Sequence, residues 1–247
     1  MPANGLVFKT CNSSTRLVIP FLIALFSISN IMPVTAETFY EGLMAFYLGD
    51  FKNAARIILD HAEKGNSDAQ LTIGAMYDRG EGVPVDKVRA AKWWRKAADK
   101  NVIEAQYKLG SAYRDGEGVV RDLSESVKWF RKAAEGGYAN AQRALAYAYY
   151  RGEGVNKDQK EAAKWFTKAA EQGDSHAQCI LALSFATGLG LKVDMGEAYF
   201  WAYIATESDK KYHVLRNRMA KELSPDQHQQ IVLRARAWIE SFNLNKK

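Results

Sequence analysis

The chain has 247 residues, of which 47% are hydrophobic and 25% are charged, with 18 glycines and 5 prolines. This composition excludes a disordered or collagen-like chain and is typical of a folded soluble protein. The net charge of +6 suggests a nucleic acid or an anionic membrane as a partner. The N-terminal residues weaken that inference.

Residues 1–36 contain no acidic side chain, and two basic residues precede an apolar run over residues 17–26. Small residues then stand at positions −3 and −1 of a junction after Ala36. The pattern predicts a secretory signal peptide that is cleaved after Ala36, and therefore a periplasmic or secreted protein. The alternative is an uncleaved anchor over residues 17–36, whose prolines and polar residues make it a poor membrane span.

Cleavage leaves residues 37–247 with 32 basic and 28 acidic side chains, a net charge of +4. This charge is ordinary, and export argues against DNA or RNA as a partner because both remain in another compartment. Loss of the signal peptide also predicts no stable insertion into a membrane. Cys179 is the single cysteine after residue 36, so the mature chain can form no internal disulfide.

The dipeptide Ala-Gln recurs four times at a spacing of 36 residues, which predicts a tandem repeat. Each unit is expected to form two helices. The predicted units are a divergent N-terminal repeat at residues 37–68, repeats at 69–104, 105–140 and 141–176, a divergent repeat at 177–212, and a capping helix with a tail at 213–247.

The two helices of each repeat have separate signals. In the first helix an apolar residue is followed four positions later by an aromatic one, at Ile73 and Tyr77, Leu109 and Tyr113, Leu145 and Tyr149, and Leu181 and Phe185. The second helix begins at an N-cap aspartate, at Asp86, Asp122, Asp158 and Asp194. Three of these aspartates have a glutamate three residues later, which predicts a reciprocal capping box, at Glu125, Glu161 and Glu197.

One face of each second helix carries a tryptophan among alanines, at Trp93, Trp129, Trp165 and Trp201. Because alanine permits close approach of helices, we expect these rings in the core rather than in a ligand-stacking ladder. A Gly-x-Gly loop joins the two helices of each repeat, as at Gly80 and Gly82. The loops lack the ending of a phosphate-binding P-loop, and they predict turns with positive φ angles.

The two ends of the array differ from the regular units. At the N-terminal end, Asp50 is the expected N-cap, and matching Tyr47 with Tyr77 makes the preceding loop six residues shorter than in the other repeats. At the C-terminal end, an N-cap serine followed by proline opens a last helix over about residues 225–242. We expect this helix to cap the stack, as a solenoid requires.

The repeat resembles the Sel-one-like repeat, a relative of the tetratricopeptide repeat. The resemblance covers about residues 40–212 and rests on the run Ala-Gln-x-x-Leu-Gly-x-x-Tyr-x-x-Gly-x-Gly-Val-x-x-Asp at residues 105–122 and on Lys-Trp-Phe-x-Lys-Ala-Ala-Glu-x-Gly at residues 128–137. It implies an all-α, right-handed α-solenoid of stacked antiparallel helix pairs. The fourth unit departs from the pattern at Ala182 and Gly196.

The resemblance also implies a class of function. Proteins of this family act mainly as adaptors, and exported bacterial members are associated with envelope signalling, exopolysaccharide regulation, assembly of complexes and interaction with host cells. One cysteine-rich branch, with a cysteine pair in each repeat, is linked to β-lactam binding. A single Cys179 disfavours that branch.

The sequence shows no catalytic constellation. The four histidines are scattered, and the chain has no Gly-x-Ser-x-Gly motif. His176 and Cys179 are three residues apart, but a lone cysteine near a helix start is more often a small buried apolar residue than half of a Cys-His pair. The sequence therefore predicts no enzymatic activity, no metal and no cofactor.

A partner-binding face is predicted from positions at which the repeats differ. First helices line the concave side of tetratricopeptide-like stacks, and tyrosine and arginine are typical anchors for a partner. The alternative is that these positions are merely exposed to solvent. The predicted binding residues, which share one helical face, are Tyr107, Ser111, Arg114, Arg143, Tyr147 and Tyr150.

A second candidate surface is a basic ridge along the second helices. An acidic partner or an anionic lipid is the expected ligand of such a ridge, and a solvated outer face is the alternative. The ridge residues are Lys92, Lys96, Lys128, Lys132, Lys164 and Lys168.

These features together predict an exported, non-catalytic adaptor or regulator that binds a protein or peptide partner in the cell envelope through its solenoid. One alternative is a protein or enzyme that binds cell-wall glycopeptide or a β-lactam. Another is a membrane-anchored scaffold, which requires that residues 17–36 stay on the chain.

Overall fold

Helices account for 76% of the computed structural model, which describes residues 38–244. The predicted signal peptide, its cleavage site and the alternative anchor lie outside these residues. Phe39–Lys247 form one compact unit. None of the helices found over residues 38–244 combines the length and the apolar character needed to cross a membrane.

The described residues form twelve α-helices and a short 3₁₀ turn at Lys210–Tyr212, and they contain no strand. The α-helices are α1 Phe39–Tyr47, α2 Phe51–Glu63, α3 Ser67–Arg79, α4 Lys87–Asp99, α5 Ile103–Asp115, α6 Leu123–Glu135, α7 Ala139–Arg151, α8 Gln159–Glu171, α9 Ser175–Thr187, α10 Met195–Ser208, α11 His213–Ala220 and α12 Pro225–Leu244. Consecutive helices from α1 to α11 pack against each other, and α12 packs against α10. This architecture confirms the predicted all-α, right-handed solenoid of helix pairs.

The predicted N-cap aspartates begin the second helices, but the reciprocal capping box does not form. The side chain of Asp122 accepts a hydrogen bond from the N–H of Glu125 at 3.0 Å. The N–H of Asp122 donates instead to the carbonyl oxygen of Tyr113 at 2.9 Å, and this bond recurs at Asp158 and Asp194. The box prediction is wrong because the loop already uses that donor, which leaves the Glu125 carboxylate free to accept from Trp129 Nε1 at 2.9 Å.

The Gly-x-Gly loops have the predicted positive φ angles, and the second glycine also makes a close contact between repeats. Gly118 has a φ of +72°, and a Cβ atom there would lie 1.9 Å from the carbonyl oxygen of Lys87 in the preceding repeat. Gly190 is equally close to the carbonyl oxygen of Gln159. A glycine is therefore required for the stacking of repeats as well as for the turn.

The glutamine of each Ala-Gln pair links successive repeats. Its buried amide Nε2 donates to a carbonyl oxygen near the end of the preceding second helix, as from Gln142 to Ala134 at 3.2 Å and from Gln178 to Ala170 at 3.0 Å. These carbonyl oxygens also accept from a backbone N–H of the turn after the helix, as Ala134 does from Gly137 at 3.0 Å, so the glutamine adds a second hydrogen bond that ties the two repeats together.

The tryptophan row lies in the core at three of its four positions. Trp129, Trp165 and Trp201 are buried, whereas Trp93 is half-buried. The core prediction is therefore confirmed except at Trp93, which lies nearest the N-terminal end of the row.

The N-terminal repeat corrects one predicted alignment. The N–H of Asp50 donates to the carbonyl oxygen of Ala45, the bond that Asp86 makes to Tyr77 elsewhere in the array. Ala45 is therefore the counterpart of Tyr77, and the loop is four residues shorter rather than six. Tyr47, the predicted counterpart, is 55% exposed at the end of α1.

The C-terminal region contains the predicted capping helix and one further helix, α11, which the sequence analysis missed. Ser224 and Gln227 form the reciprocal capping box at the start of α12, with the N–H of each bonded to the side chain of the other. Trp238 of α12 packs edge-on against Trp201, with ring centroids 5.9 Å apart. A Cβ atom at Gly196 would lie 3.5 Å from Ile231 of α12, an ordinary contact, so the approach of this helix does not require a glycine there.

Candidate partner-binding site

Four of the six predicted binding residues line one cavity of about 200 Å³ between α5, α6 and α7. They are Tyr107, Arg114, Arg143 and Tyr147. The other two predicted residues, Ser111 and Tyr150, do not line it. Ser111 is half-buried and Tyr150 is 39% exposed.

Three residues of the α7 wall lie one turn apart and face the cavity, Arg143, Tyr147 and Arg151. Arg143 donates through Nε to Asp174 Oδ2 at 2.7 Å and through Nη2 to Asn140 Oδ1 at 3.1 Å. The guanidinium carbon of Arg151 lies 5.2 Å from the ring centroid of Tyr147. Both arginines are therefore positioned by neighbouring groups.

The α5 wall combines an aromatic cluster with one arginine. The ring of Tyr107 lies 5.7 Å from that of Phe130 and 5.2 Å from that of Tyr138, measured between centroids. Arg114 donates through Nε and Nη2 to the two carboxylate oxygens of Asp115, each at 2.8 Å. These bonds raise the pKa of Arg114 and lower the pKa of Asp115.

The floor comes from α6, where Ser126, Val127 and Phe130 are buried. The hydroxyl of Ser126 donates to the carbonyl oxygen of Gly110 at 2.7 Å. Burial raises the pKa of the Tyr147 phenol, so this wall residue remains an uncharged hydrogen-bond donor at neutral pH.

Sequence reasoning missed several lining residues, among them Arg151, Asn140 and Glu153. Arg151 could have been identified from the sequence, because it lies four residues after Tyr147 and therefore on the same helical face. Glu153 belongs to a Gly-x-Gly loop, and only the folding of that loop over the end of α7 brings it to the cavity.

The lysine ridge is exposed, as both of its interpretations require, and much of its charge is engaged locally. Lys132 Nζ lies 4.1 Å from the ring centroid of Trp129, and Lys168 Nζ lies 4.3 Å from that of Trp165. Lys128 forms an ion pair with Glu125 at 3.1 Å. The ridge thus shields the tryptophan row from solvent, and its role in binding stays a prediction.

The sequence profile of the Sel1 repeat matches four consecutive segments, at residues 67–102, 103–138, 139–174 and 175–210. These segments cover more than half of the chain. The chain belongs to the Sel1 repeat family. Repeats of this family serve in general as protein-interaction modules and form scaffolds that are typically non-catalytic.

Solved structures of other Sel1 repeat proteins are similar to this one. A Sel1 repeat protein from Oxalobacter formigenes is 29% identical, with a TM-score of 0.71, and the match covers 84% of this chain and 85% of that one. The protein c5321, a protective antigen present in uropathogenic Escherichia coli strains, is also 29% identical, with a TM-score of 0.54. That match covers 83% of this chain and 53% of c5321. No curated protein sequence matches the chain.

The groups considered for chemistry do not assemble into a reactive site in the Sel1 repeats. Cys179 is half-buried, and burial raises the pKa of its thiol, the opposite of what a nucleophilic cysteine requires. His176 packs its ring against Tyr212, with centroids 6.1 Å apart. Over residues 38–244, no group of three or more histidine, cysteine or acidic side chains is arranged to hold a metal ion.

Proposed function

We propose that this Sel1 repeat protein is an exported, non-catalytic adaptor that binds a protein or peptide partner in the cell envelope. The observation that carries the proposal is the cavity between α5 and α7, where tyrosines and arginines occupy positions that vary among otherwise matched repeats. Partner-binding surfaces are enriched in these residue types.

Export rests on the pattern of residues 1–36 and on one comparison. The similar protein c5321 is a protective antigen present in uropathogenic Escherichia coli strains. An exported location for this chain would suit a role in envelope signalling, in assembly of a complex or in interaction with a host.

The experiment that tests both parts is crosslinking in cells, followed by affinity capture of the chain through a C-terminal tag and mass spectrometry. We expect a mature N-terminus at Glu37 and a small set of envelope proteins among the captured partners. A chain that retains Met1 would support the anchored scaffold instead, and captured glycan fragments would support wall binding.

A pair of variants connects the partner to the cavity. The double variant Arg114→Ala with Arg151→Ala removes two exposed side chains from the lining. Tyr150→Ala is the matched control, because Tyr150 is an exposed residue of the same helix as Arg151 but lies outside the cavity. Capture should fall at least fivefold with the double variant and remain unchanged with the control, both having wild-type circular dichroism. Equal capture by all three proteins would contradict a role for the cavity.

A further inference from the structure

The polar lining of the cavity is strongly biased towards positive charge. Three arginines line it, Arg114, Arg143 and Arg151, together with one carboxylate, Glu153. The acidic groups that bind two of the arginines, Asp115 and Asp174, do not line the cavity. The cavity therefore presents three guanidinium groups, and the carboxylates that bind Arg114 and Arg143 lie outside its lining, whereas Glu153, which pairs with Arg151, lies within it.

The arginines retain donors that can serve a ligand. A guanidinium carries five N–H groups, and the bonds to Asp115, Asp174 and Asn140 use only Nε and Nη2. Within residues 38–244, no hydrogen bond is formed by Nη1 of Arg114 or of Arg143. The guanidinium groups of Arg114 and Arg143 are therefore held in place by Nε and Nη2, while the N–H groups of Nη1 stay available to a ligand.

Arg151 is poised in a different way. Its guanidinium lies near the ring face of Tyr147, and its nearest carboxylate, Glu153, is 3.7 Å away, beyond hydrogen-bond distance. Stacking on a ring leaves all N–H edges of a guanidinium available. An entering carboxylate can therefore form a bidentate pair with Arg151 without displacing a hydrogen bond.

We propose that the cavity binds an acidic peptide segment of the partner, with carboxylate side chains at Arg143 and Arg151 and an apolar side chain against Tyr107 and Phe130. This inference rests on the proposed function, since it specifies the chemistry of the bound peptide. The cavity volume of about 200 Å³ suits a few side chains of an extended segment rather than a folded surface.

The test is a selection of random twelve-residue peptides displayed on phage, performed with the purified full-length chain at low and at physiological salt. We expect aspartate and glutamate to be enriched at least twofold over the starting library. Peptides from this pool, synthesised with a fluorescent label, should bind at least tenfold more weakly to the variant Arg143→Gln with Arg151→Gln. Their affinity should also fall as salt rises.

The matched control is the variant Lys52→Gln with Lys192→Gln, which removes the same charge from exposed sites outside both the cavity and the lysine ridge. It should retain wild-type affinity. An equal loss in this control, or acidic peptides that bind the arginine variant normally, would overturn the cavity as the site. Enrichment of peptides that are not acidic would overturn the inference alone. A failure to enrich any peptide would contradict the proposed function as well.

Discussion

At the junction between the repeats 103–138 and 139–174, Arg131 donates a hydrogen bond to the phenol oxygen of Tyr149 at 2.7 Å. At the next junction, the same two positions hold Thr167 and Phe185. The phenol oxygen and the guanidinium are thus lost together. A buried tyrosine hydroxyl without a donor, or an arginine without an acceptor, would cost free energy, so losing both groups at this junction leaves neither of them unpaired.

The same two junctions keep every contact that involves the backbone. Gln142 and Gln178 each bind a carbonyl of the preceding helix, and Gly154 and Gly190 each lie against a backbone carbonyl. The stack is therefore held by contacts to the main chain, which no substitution in the neighbouring repeat can remove. The side chains between repeats are therefore free to vary.

The largest expected effect is in the tryptophan row, where the regular and last repeats can be compared directly. Trp129→Ala should lower the free energy of unfolding by about 3–5 kcal/mol, because a buried indole leaves a cavity. Trp201→Ala should cost at least as much, and it should also loosen α12 through the lost contact with Trp238. Urea denaturation followed by circular dichroism measures the stability.

The control for the row is Trp93→Ala, at the half-buried position. This variant should lose about half as much stability, since less apolar surface is exposed by unfolding. A loss below about 1 kcal/mol for Trp129→Ala would place the row on the surface and revive the stacking-ladder interpretation.

The next largest effect concerns the glycine contacts that both regions share. Gly154→Ala and Gly190→Ala should each cost about 3 kcal/mol or more, because the new Cβ would overlap a carbonyl oxygen while the backbone stays at positive φ. Gly137→Ala is the matched control, with a φ of +89° and no atom within 4 Å of the added Cβ. It should cost about 1 kcal/mol. Equal thermal stability of all three variants would show that the contact between repeats is unimportant.

Most of the fold could be predicted from the sequence because it follows from local signals. The helix pairs, the N-cap aspartates, the positive φ angles and the buried tryptophans each depend on residues within a few positions of one another. The alignment of Tyr47 with Tyr77 failed because it was based on residue type. The true counterpart, Ala45, is identified by its carbonyl oxygen, which accepts from the N–H of Asp50, and the sequence carries no signal for a bond between two backbone groups.

The candidate site was predictable only in part, since it depends on how the repeats stack. The helical face with Tyr107 and Arg143 follows from periodicity. The existence of the cavity depends in addition on the distance between α5 and α7 and on the position of the loop that contains Glu153, neither of which the sequence gives. Gln142 recurs visibly in the sequence, yet its acceptor, the carbonyl oxygen of Ala134, is set by the crossing of two helices in different repeats.

The smallest expected effect tests the paired change itself. Tyr149→Phe and Arg131→Thr should each cost about 1 kcal/mol, because each leaves the other partner without its hydrogen bond. The double variant reproduces the pair found at the last junction, so its cost should be close to that of one single variant. The resulting coupling of about 1 kcal/mol is within reach of a double-mutant cycle measured by urea denaturation.

The arginine–tyrosine pair can also be introduced where it is missing, at the last junction. Thr167→Arg combined with Phe185→Tyr would build the regular pair at the last junction, where the backbone contacts are already the same. It should be neutral or stabilising by up to about 1 kcal/mol, whereas Phe185→Tyr alone should destabilise because its hydroxyl lacks the arginine. If the single and double variants at either junction were simply additive, the two positions would be independent, and the joint loss of arginine and phenol would have no energetic cause.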